Sequence, residues 1–355
     1  MQYGYVNTFR RQHEMAASIE DVAKLAGVSI ATVSRSLRGL PDVAATTRDR
    51  VLVAARELDY VASPFAAGLA SGRSSTLGVV VPFVHRWFFA EVLGAIDAVL
   101  REAGYDLLLH NLGDSVGRER FFSMLPIRKR VDAVVVVSLA LTGEEVEALK
   151  TLELPVGVVG APHPGLFSVR IDDVAAATIA VEHLLSLGHQ RIGLIGGDTD
   201  DPMRFTPPQH RVTGYRQTLD AAGVSNDGSL ERLGYFTVEG GEAAMMDLLA
   251  QPQPPTAIFA ESDEMAYGAI RAIRRSGLRV PEDIAVIGFD DHATAELMDL
   301  STVRQPVAEQ GAYLARTLLA SLNGSAQASD FVLATELVVR GSTVRAASVY
   351  AETVS

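Results

Sequence analysis

The stretch SIEDVAKLAGVSIATVSRSLR at positions 18–38 constrains this chain more than any other. It reads as two short helices joined by a tight turn. Ser18 is placed to cap the first helix, with Asp21 as the acidic partner of a capping box. Ile19, Val22, Ala23 and Ala26 recur at helical spacing and form one apolar face. Gly27 falls where the turn needs a positive φ, which a Cβ would penalise. Val28 fills the angle between the helices and Ser29 caps the second. Val33 and Leu37 turn inward. Ile30, Ala31, Thr32, Ser34, Arg35 and Arg38 remain on the outer face. That face is short, polar and cationic, of a size to enter the major groove of DNA. An ordinary helical hairpin is the other reading of the same spacing.

Charge separates the two ends of the chain. The net charge is −12, which at first argues against nucleic acid. Residues 1–75, however, hold nine Lys/Arg against seven Asp/Glu, a net of +2. The remainder holds 22 against 36, a net of −14. A mildly basic head on an acidic body directs nucleic acid to the head alone. So weak a head needs a second copy to bind tightly. There are no cysteines, hence no disulfide framework and no thiolate chemistry. No apolar run reaches the ~18 residues of a membrane span. The first residues lack the apolar core of a signal peptide. A cytoplasmic location is expected.

Residues 1–17 show no useful periodicity and read as a disordered tail, with Met15 a second candidate start. A helix-turn-helix domain follows over 18–62. Its third helix is expected from Thr46 to Asp59, with Val51, Ala54, Ala55 and Leu58 closing a three-helix core. Thr47, Arg48 and Arg50 at its start are placed either to meet phosphates or to form a solvated face. Residues 63–74, rich in small residues, read as a hinge that orders on DNA. From Ser75 short β-rich runs alternate with amphipathic helices, the mark of parallel sheets covered on both faces. The pattern occurs twice within 75–341, predicting two α/β lobes with a cleft lined by loops at the carboxyl ends of the strands. Residues 342–355 read as a tail without leucine heptads, so a homodimer is expected rather than a coiled-coil tetramer.

Eight segments together carry a family resemblance: DVAKLAGVSIATVSRSLRG (21–39), TRDRVLVAARELDY (47–60), FFAEVLGAIDAVLREAGYDLLL (88–109), VDAVVVV (131–137), AVEHLLSLGHQRIGLIGG (180–197), HRVTGYRQTL (210–219), ESDEMAYGAIRAI (261–273) and IAVIGFDD (284–291). From Ser18 to about Gly341 the chain resembles the lactose-repressor/galactose-repressor (LacI/GalR) family of transcription regulators. The resemblance implies an α/β fold: an N-terminal three-helix helix-turn-helix domain and a two-lobed, periplasmic-binding-protein-like body with parallel sheets. It implies Ile30, Ala31 and Arg35 at base edges, and Ser29, Thr32 and Ser34 at phosphates. Arg38 departs from the usual Asn and is expected to add a phosphate contact. Ala44 departs from the Ser that usually precedes the third helix. Leu69 matches the leucine that the family wedges into the minor groove. In the body, Arg211 and Asp290 match polar effector contacts, able together to satisfy adjacent hydroxyls of a sugar. Trp87 and Phe88 are candidates for stacking on a sugar face, or for filling the core. Trp87 replaces the usual Pro, and Ser262 stands where Asn is common. The loop from Asp198 to Pro208 is longer than usual and proline-rich.

Other classes fit less well. GLIGGD at 193–198 lacks the GxGxxG spacing of a dinucleotide fold. Eight histidines are scattered without metal-ligand spacing, and there is no GxSxG elbow. A secreted sugar-binding protein fits the body but not the head. The expectation is a non-enzymatic, cofactor-free, metal-free repressor. It would read a near-palindromic operator in double-stranded DNA as a dimer, with no membrane partner, under control of a small effector, first a sugar. Whether that effector induces or corepresses is open.

Overall fold

The structure is a computed structural model that describes residues 17–37, 41–60, 73–226, 228–325 and 327–344. The expected N-terminal tail, most of the hinge with Leu69, and Arg38 lie outside the described residues. The described chain divides into two units, with the boundary between Ser74 and Ser75.

The first unit is three helices: α1 (Ile19–Ala26), α2 (Ile30–Leu37) and α3 (Ala45–Glu57). Ser18 and Asp21 form a complete capping box: Asp21 N–H donates to Ser18 Oγ at 3.2 Å, and Ser18 N–H donates to Asp21 Oδ2 at 2.9 Å. Gly27 ends α1 at φ 65°. Thr32 N–H donates to Ser29 Oγ, so Ser29 caps α2. Val22, Ala23, Ala26, Val33, Val51, Ala54 and Ala55 make the core, edged by Ile19, Val28, Leu37, Leu58 and Tyr60. α3 starts and ends slightly earlier than its periodicity suggests, and Ala44 offers its N-terminus no side-chain acceptor.

The second unit has two sheets. The first lobe contains β1 (Thr76–Val81), β2 (Asp106–Asn111), β3 (Ala133–Val137), β4 (Val156–Val159), β5 (Phe167–Ile171) and β11 (Asp330–Leu333). Its order is β11-β5-β4-β3-β1-β2, parallel throughout. The second lobe contains β6 (Ile192–Gly196), β7 (Glu231–Leu233), β8 (Ala257–Ala260), β9 (Ala285–Asp290), β10 (Ser301–Arg304) and β12 (Glu336–Val338), in the order β12-β10-β9-β8-β6-β7. Only β12 runs antiparallel to its neighbour. The central strands are continuous apolar runs because helices cover both faces; every residue of β3 is buried. The helices of the first lobe are α4 (Trp87–Ala103), α5 (Ser115–Met124), α6 (Gly143–Lys150) and α12 (Val307–Leu322). Those of the second are α7 (Asp173–Ser186), α8 (Pro207–Ala221), α9 (Val238–Leu249), α10 (Asp263–Arg275) and the short α11 (Ala293–Leu297).

The chain passes between lobes three times: from β5 into α7, from β10 into α12, and from β11 into β12. These crossings rest on β5, β10 and β11, which hydropathy did not single out because each mixes polar with apolar residues. The structure also moves one helix. α5 begins at Ser115, capped by Asp114 Oδ1 accepting from Gly117 N–H at 2.7 Å, rather than spanning 119–128. The body extends past 341. Ser342 Oγ donates to Val286 O at 2.6 Å, and Thr343 Oγ1 lies 2.9 Å from His183 Nε2. The first two residues of the expected tail therefore belong to the second lobe.

Gly214 permits α7 and α8 to pack closely. A Cβ there would lie 2.4 Å from Val174 O and 2.9 Å from the Ala177 Cβ. The nearer obstacle is backbone, which cannot rotate away. Gly214→Ala is expected to destabilise the body by about 1–3 kcal/mol, read as a lower midpoint in thermal unfolding with far-UV dichroism retained at 20 °C (about room temperature).

Candidate functional site

Two sets of residues stand out, one in each unit. In the head, Ser29, Ile30, Ala31 and Arg35 are exposed, and Thr32 and Ser34 are partly so. Ile30 is 46% exposed and so is available on this face for apolar contact. Among the described residues Arg35 is paired with Asp42 alone, at 3.5 Å, with both side chains more than half in solvent. Such a pair contributes little, so the guanidinium exchanges partners at low cost. The buried residues of the same helix, Val33 and Ser36, lie on its other side.

In the body, a cleft of ≈ 700 Å³, counted to its open mouth, lies between the lobes. Ser138, Gly160, Asp173, Ser262, Asp290 and Gln305 reach it from the carboxyl ends of β3, β4, β5, β8, β9 and β10, where parallel α/β sheets place ligand sites. Phe88, Phe89, Phe205 and Phe236 supply apolar wall. Phe88, Arg211, Ser262 and Asp290 all line this space. Trp87 does not. Its ring packs on His292 of the opposite lobe, with centroids 3.9 Å apart.

Arg211 is buried at the second lobe's side of the cleft. Its Nε donates to Asp173 Oδ1 at 2.8 Å, one terminal nitrogen donates to Glu261 O, and the guanidinium lies 3.6 Å from the Phe289 ring centroid. A guanidinium has five N–H groups, so others remain for a ligand. Asp290 sits at φ 114°, a conformation that costs a non-glycine residue energy and that the surrounding structure must enforce. Gln305 Nε2 donates to Asp290 Oδ1. Ser262 Oγ accepts from Met265 N–H at 3.3 Å and so caps α10 while facing the cleft.

The second lobe's side of the cleft is rich in carboxyl groups. Burial pushes Asp263 up to about 7, reinforced by Asp290 and opposed by hydrogen bonds from Thr302 and the His292 amide. Burial and Asp290 likewise raise Glu264. Burial disfavours the His292 imidazolium, but Asp290 and Glu264 outweigh it and His292 is raised. Asp173 is raised by burial against the pull of Arg211.

Asp173, Arg86, Glu264, Gln305 and Phe205 were not legible as cleft residues from sequence alone. For Asp173 there was a signal, since Asp172 and Asp173 stand just before an apolar helical run. Phe205 carried none. It belongs to the proline-rich 198–208 loop, which leaves the second lobe and docks on the first. Phe205 stacks on Phe83 at 5.9 Å and Met203 is buried among first-lobe side chains. Ala140 N–H donates to Arg204 O at 3.1 Å, and Arg118 donates to Met203 O. Arg118 in turn donates from Nε and Nη2 to the two carboxylate oxygens of Glu145, at 2.7 Å each.

Glu261 yields a stability prediction. It is fully buried, one oxygen accepts from Gly197 N–H at 2.9 Å, and the other has no partner. Burial pushes it up to about 8, against Gly197 and Arg211 and with Asp173 and Glu231. The folded state therefore holds a proton that the unfolded chain releases above its ordinary value of 4.5. This contribution is complete at low pH, erodes as pH rises, and is gone above pH 8. Glu261→Gln is expected to leave the melting temperature near that of the parent at pH 5 and to raise it by several degrees at pH 8.5 (both pH values approximate settings either side of the transition). Parallel melting curves at both pH values would refute it.

Residues 18–63 match the model described as bacterial regulatory proteins, lacI family, and residues 181–343 match a periplasmic binding protein-like domain. The HTH-type transcriptional repressor CytR of Escherichia coli is 37% identical over 339 residues, covering 94% of this chain and 98% of its own length. The lac repressor dimer solved with operator and the anti-inducer ONPF superposes with a TM-score of 0.81 at 27% identity, over 92% of this chain and 99% of that one. The complex of the transcriptional regulator CelR with cellobiose gives 0.68 at 33% identity, over 92% and 99%. The chain belongs to the lacI family of bacterial regulatory proteins.

Proposed function

We propose that this chain represses transcription by binding a near-palindromic operator as a homodimer in the cytoplasm, and that a small polyhydroxylated effector, a sugar, in the inter-lobe cleft sets operator affinity. The observation that carries the reading is the pairing, in one chain, of an exposed polar α2 face with a cleft walled by aromatics and floored by Arg211 and Asp290. Arg35 presents two parallel donors suited to guanine, while Ile30 and Ala31 offer apolar contact to a thymine methyl. Ser29, Thr32 and Ser34 serve phosphates, and Arg38 and the Leu69 wedge complete the interface. In the cleft, the uncommitted N–H groups of Arg211 and the second oxygen of Asp290 meet neighbouring hydroxyls, and Ser262 adds a third polar point. Phe88 flanks the sugar face, and Trp87 acts from beside the cleft through its contact with His292. The role is one of binding, without a catalytic step or cofactor.

Coupling follows from linkage. An effector that prefers one closure state of the lobes alters operator affinity by the factor by which operator alters effector affinity. The solved relatives bound to cellobiose and to ribose support a sugar occupant.

Two substitutions test this. Arg35→Ala is expected to weaken operator binding by about 1–3 kcal/mol relative to unrelated duplex, measured by fluorescence anisotropy, with effector-induced thermal shifts intact; undiminished selectivity would remove Arg35 from the base contacts. Asp290→Asn preserves a residue type that tolerates positive φ. It is expected to keep operator affinity while weakening the sugar that most stabilises the parent protein by about tenfold, since a charged acceptor is roughly twice as strong as a neutral one.

A further inference from the structure

Glu264, Asp290 and His292 bring one ligand atom each to within 4.8 Å of one another, a grouping found once among the described residues. His292 Nε2 lies 3.6 Å from Glu264 Oε2 and 3.6 Å from Asp290 Oδ2. Neither distance is a hydrogen bond. His292 is only 7% exposed, and its Nε2 has no hydrogen-bond partner at all. A buried imidazole nitrogen thus points between two carboxylates, within ion-pair reach of both when protonated but in hydrogen-bond contact with neither. Buried polar atoms of this kind call for an explanation, an ion among them.

The spacing is informative. In a tetrahedral site with bonds of about 2.1 Å, neighbouring ligand atoms stand about 3.4 Å apart. The two nitrogen–oxygen separations are close to that edge and longer than the roughly 3.0 Å edge of an octahedral magnesium site. One imidazole with two carboxylates also suits a borderline transition ion better than a hard one. The residues are held in place independently of any ion. His292 N–H donates to Asp263 Oδ2 at 2.8 Å, Asp290 is fixed by Gln305, and Glu264 lies in the first turn of α10. Trp87 covers one face of the His292 ring, leaving its edge to the carboxylates.

We propose that Glu264, Asp290 and His292 bind a divalent transition cation of the zinc type, with a fourth coordination position open to the cleft. Glu264 and Asp290 both line the cleft, so that position is filled by water or by an oxygen of whatever occupies it. The three ligands come from one lobe, and the ring stacked on His292 comes from the other. The ion therefore sits where the lobes meet. The assignment does not depend on the regulatory reading and is tested without DNA or sugar.

The chain contains a single tryptophan, Trp87, so its fluorescence reports on this one place. Full-length protein, stripped with chelator, is titrated with zinc chloride at pH 7.5 (an approximate setting near physiological pH) against a chromophoric competitor, with tryptophan emission followed in parallel. The expected result is one ion per chain with a saturable change in emission. Glu264→Gln, which leaves the ring stack untouched, and His292→Asn should each weaken binding at least about tenfold, with far-UV dichroism as the check on folding. Zinc bound without an emission change, zinc bound equally well by a folded Glu264→Gln variant, or no zinc bound would each overturn the proposal. Should His292→Asn fail to fold, Glu264→Gln decides alone, because that side chain is partly exposed and tolerates the change.

Discussion

The buried guanidinium of Arg211 is the constraint around which the second lobe is arranged. Arginine does not lose its charge in a protein interior, so the surrounding chain must supply acceptors. It does so from three separate places: the Asp173 carboxylate at the start of α7, the Glu261 carbonyl after β8, and the Phe289 ring on β9. Removing one partner of such a pair typically costs 3–5 kcal/mol, because the other is left buried and uncompensated. Asp173 is two residues past β5, where the chain first crosses between lobes. The same interaction therefore fixes the cleft wall and anchors one of the crossings between the lobes.

The lobes also meet away from the crossings, through two unlike contacts. One is the 198–208 loop, whose Phe205 and Met203 enter the apolar interior of the first lobe and whose backbone is held by Arg118 and Ala140. It behaves as a strap, since opening the cleft would expose those side chains and leave the Arg118–Glu145 pair short of an acceptor. The other is the stack of Trp87 on His292, which carries no hydrogen bond across the gap. The first contact is made of burial and buried polar pairing, the second of a ring face against a charged cluster. The lobes are thus joined at one edge by packing and at the other beside the charged groups Asp290, Glu264 and His292.

Local sequence was a good guide wherever the determining interaction was local. The Ser18–Asp21 box, the φ 65° turn at Gly27 and the Ser29 cap depend on residues within four positions of each other. The apolar runs of β1, β3 and β9 reveal a buried parallel strand by themselves. β5, β7, β10 and β11 mix polar with apolar residues, so hydropathy had little to register. α5 was displaced because its start depends on Asp114 and not on its weak apolar stripe.

What the sequence determined alone is the order of parts: a helix-turn-helix head with Arg35 outward, then two rounds of β/α alternation; Arg211 and Asp290 were singled out by the family resemblance, not by local pattern. The reason is that period, cap and turn chemistry are written in neighbouring residues. What only the tertiary structure decided is which distant groups meet. It joined Asp173 to Arg211, carried Phe205 across to Phe83, turned Trp87 from the cleft wall onto His292, and gathered Glu264, Asp290 and His292 around one point. Glu264 follows one strand while Asp290 ends the next and His292 lies two residues further. No sequence spacing marks them as a set, because their proximity is created by strand pairing and by the path of the chain between sheets.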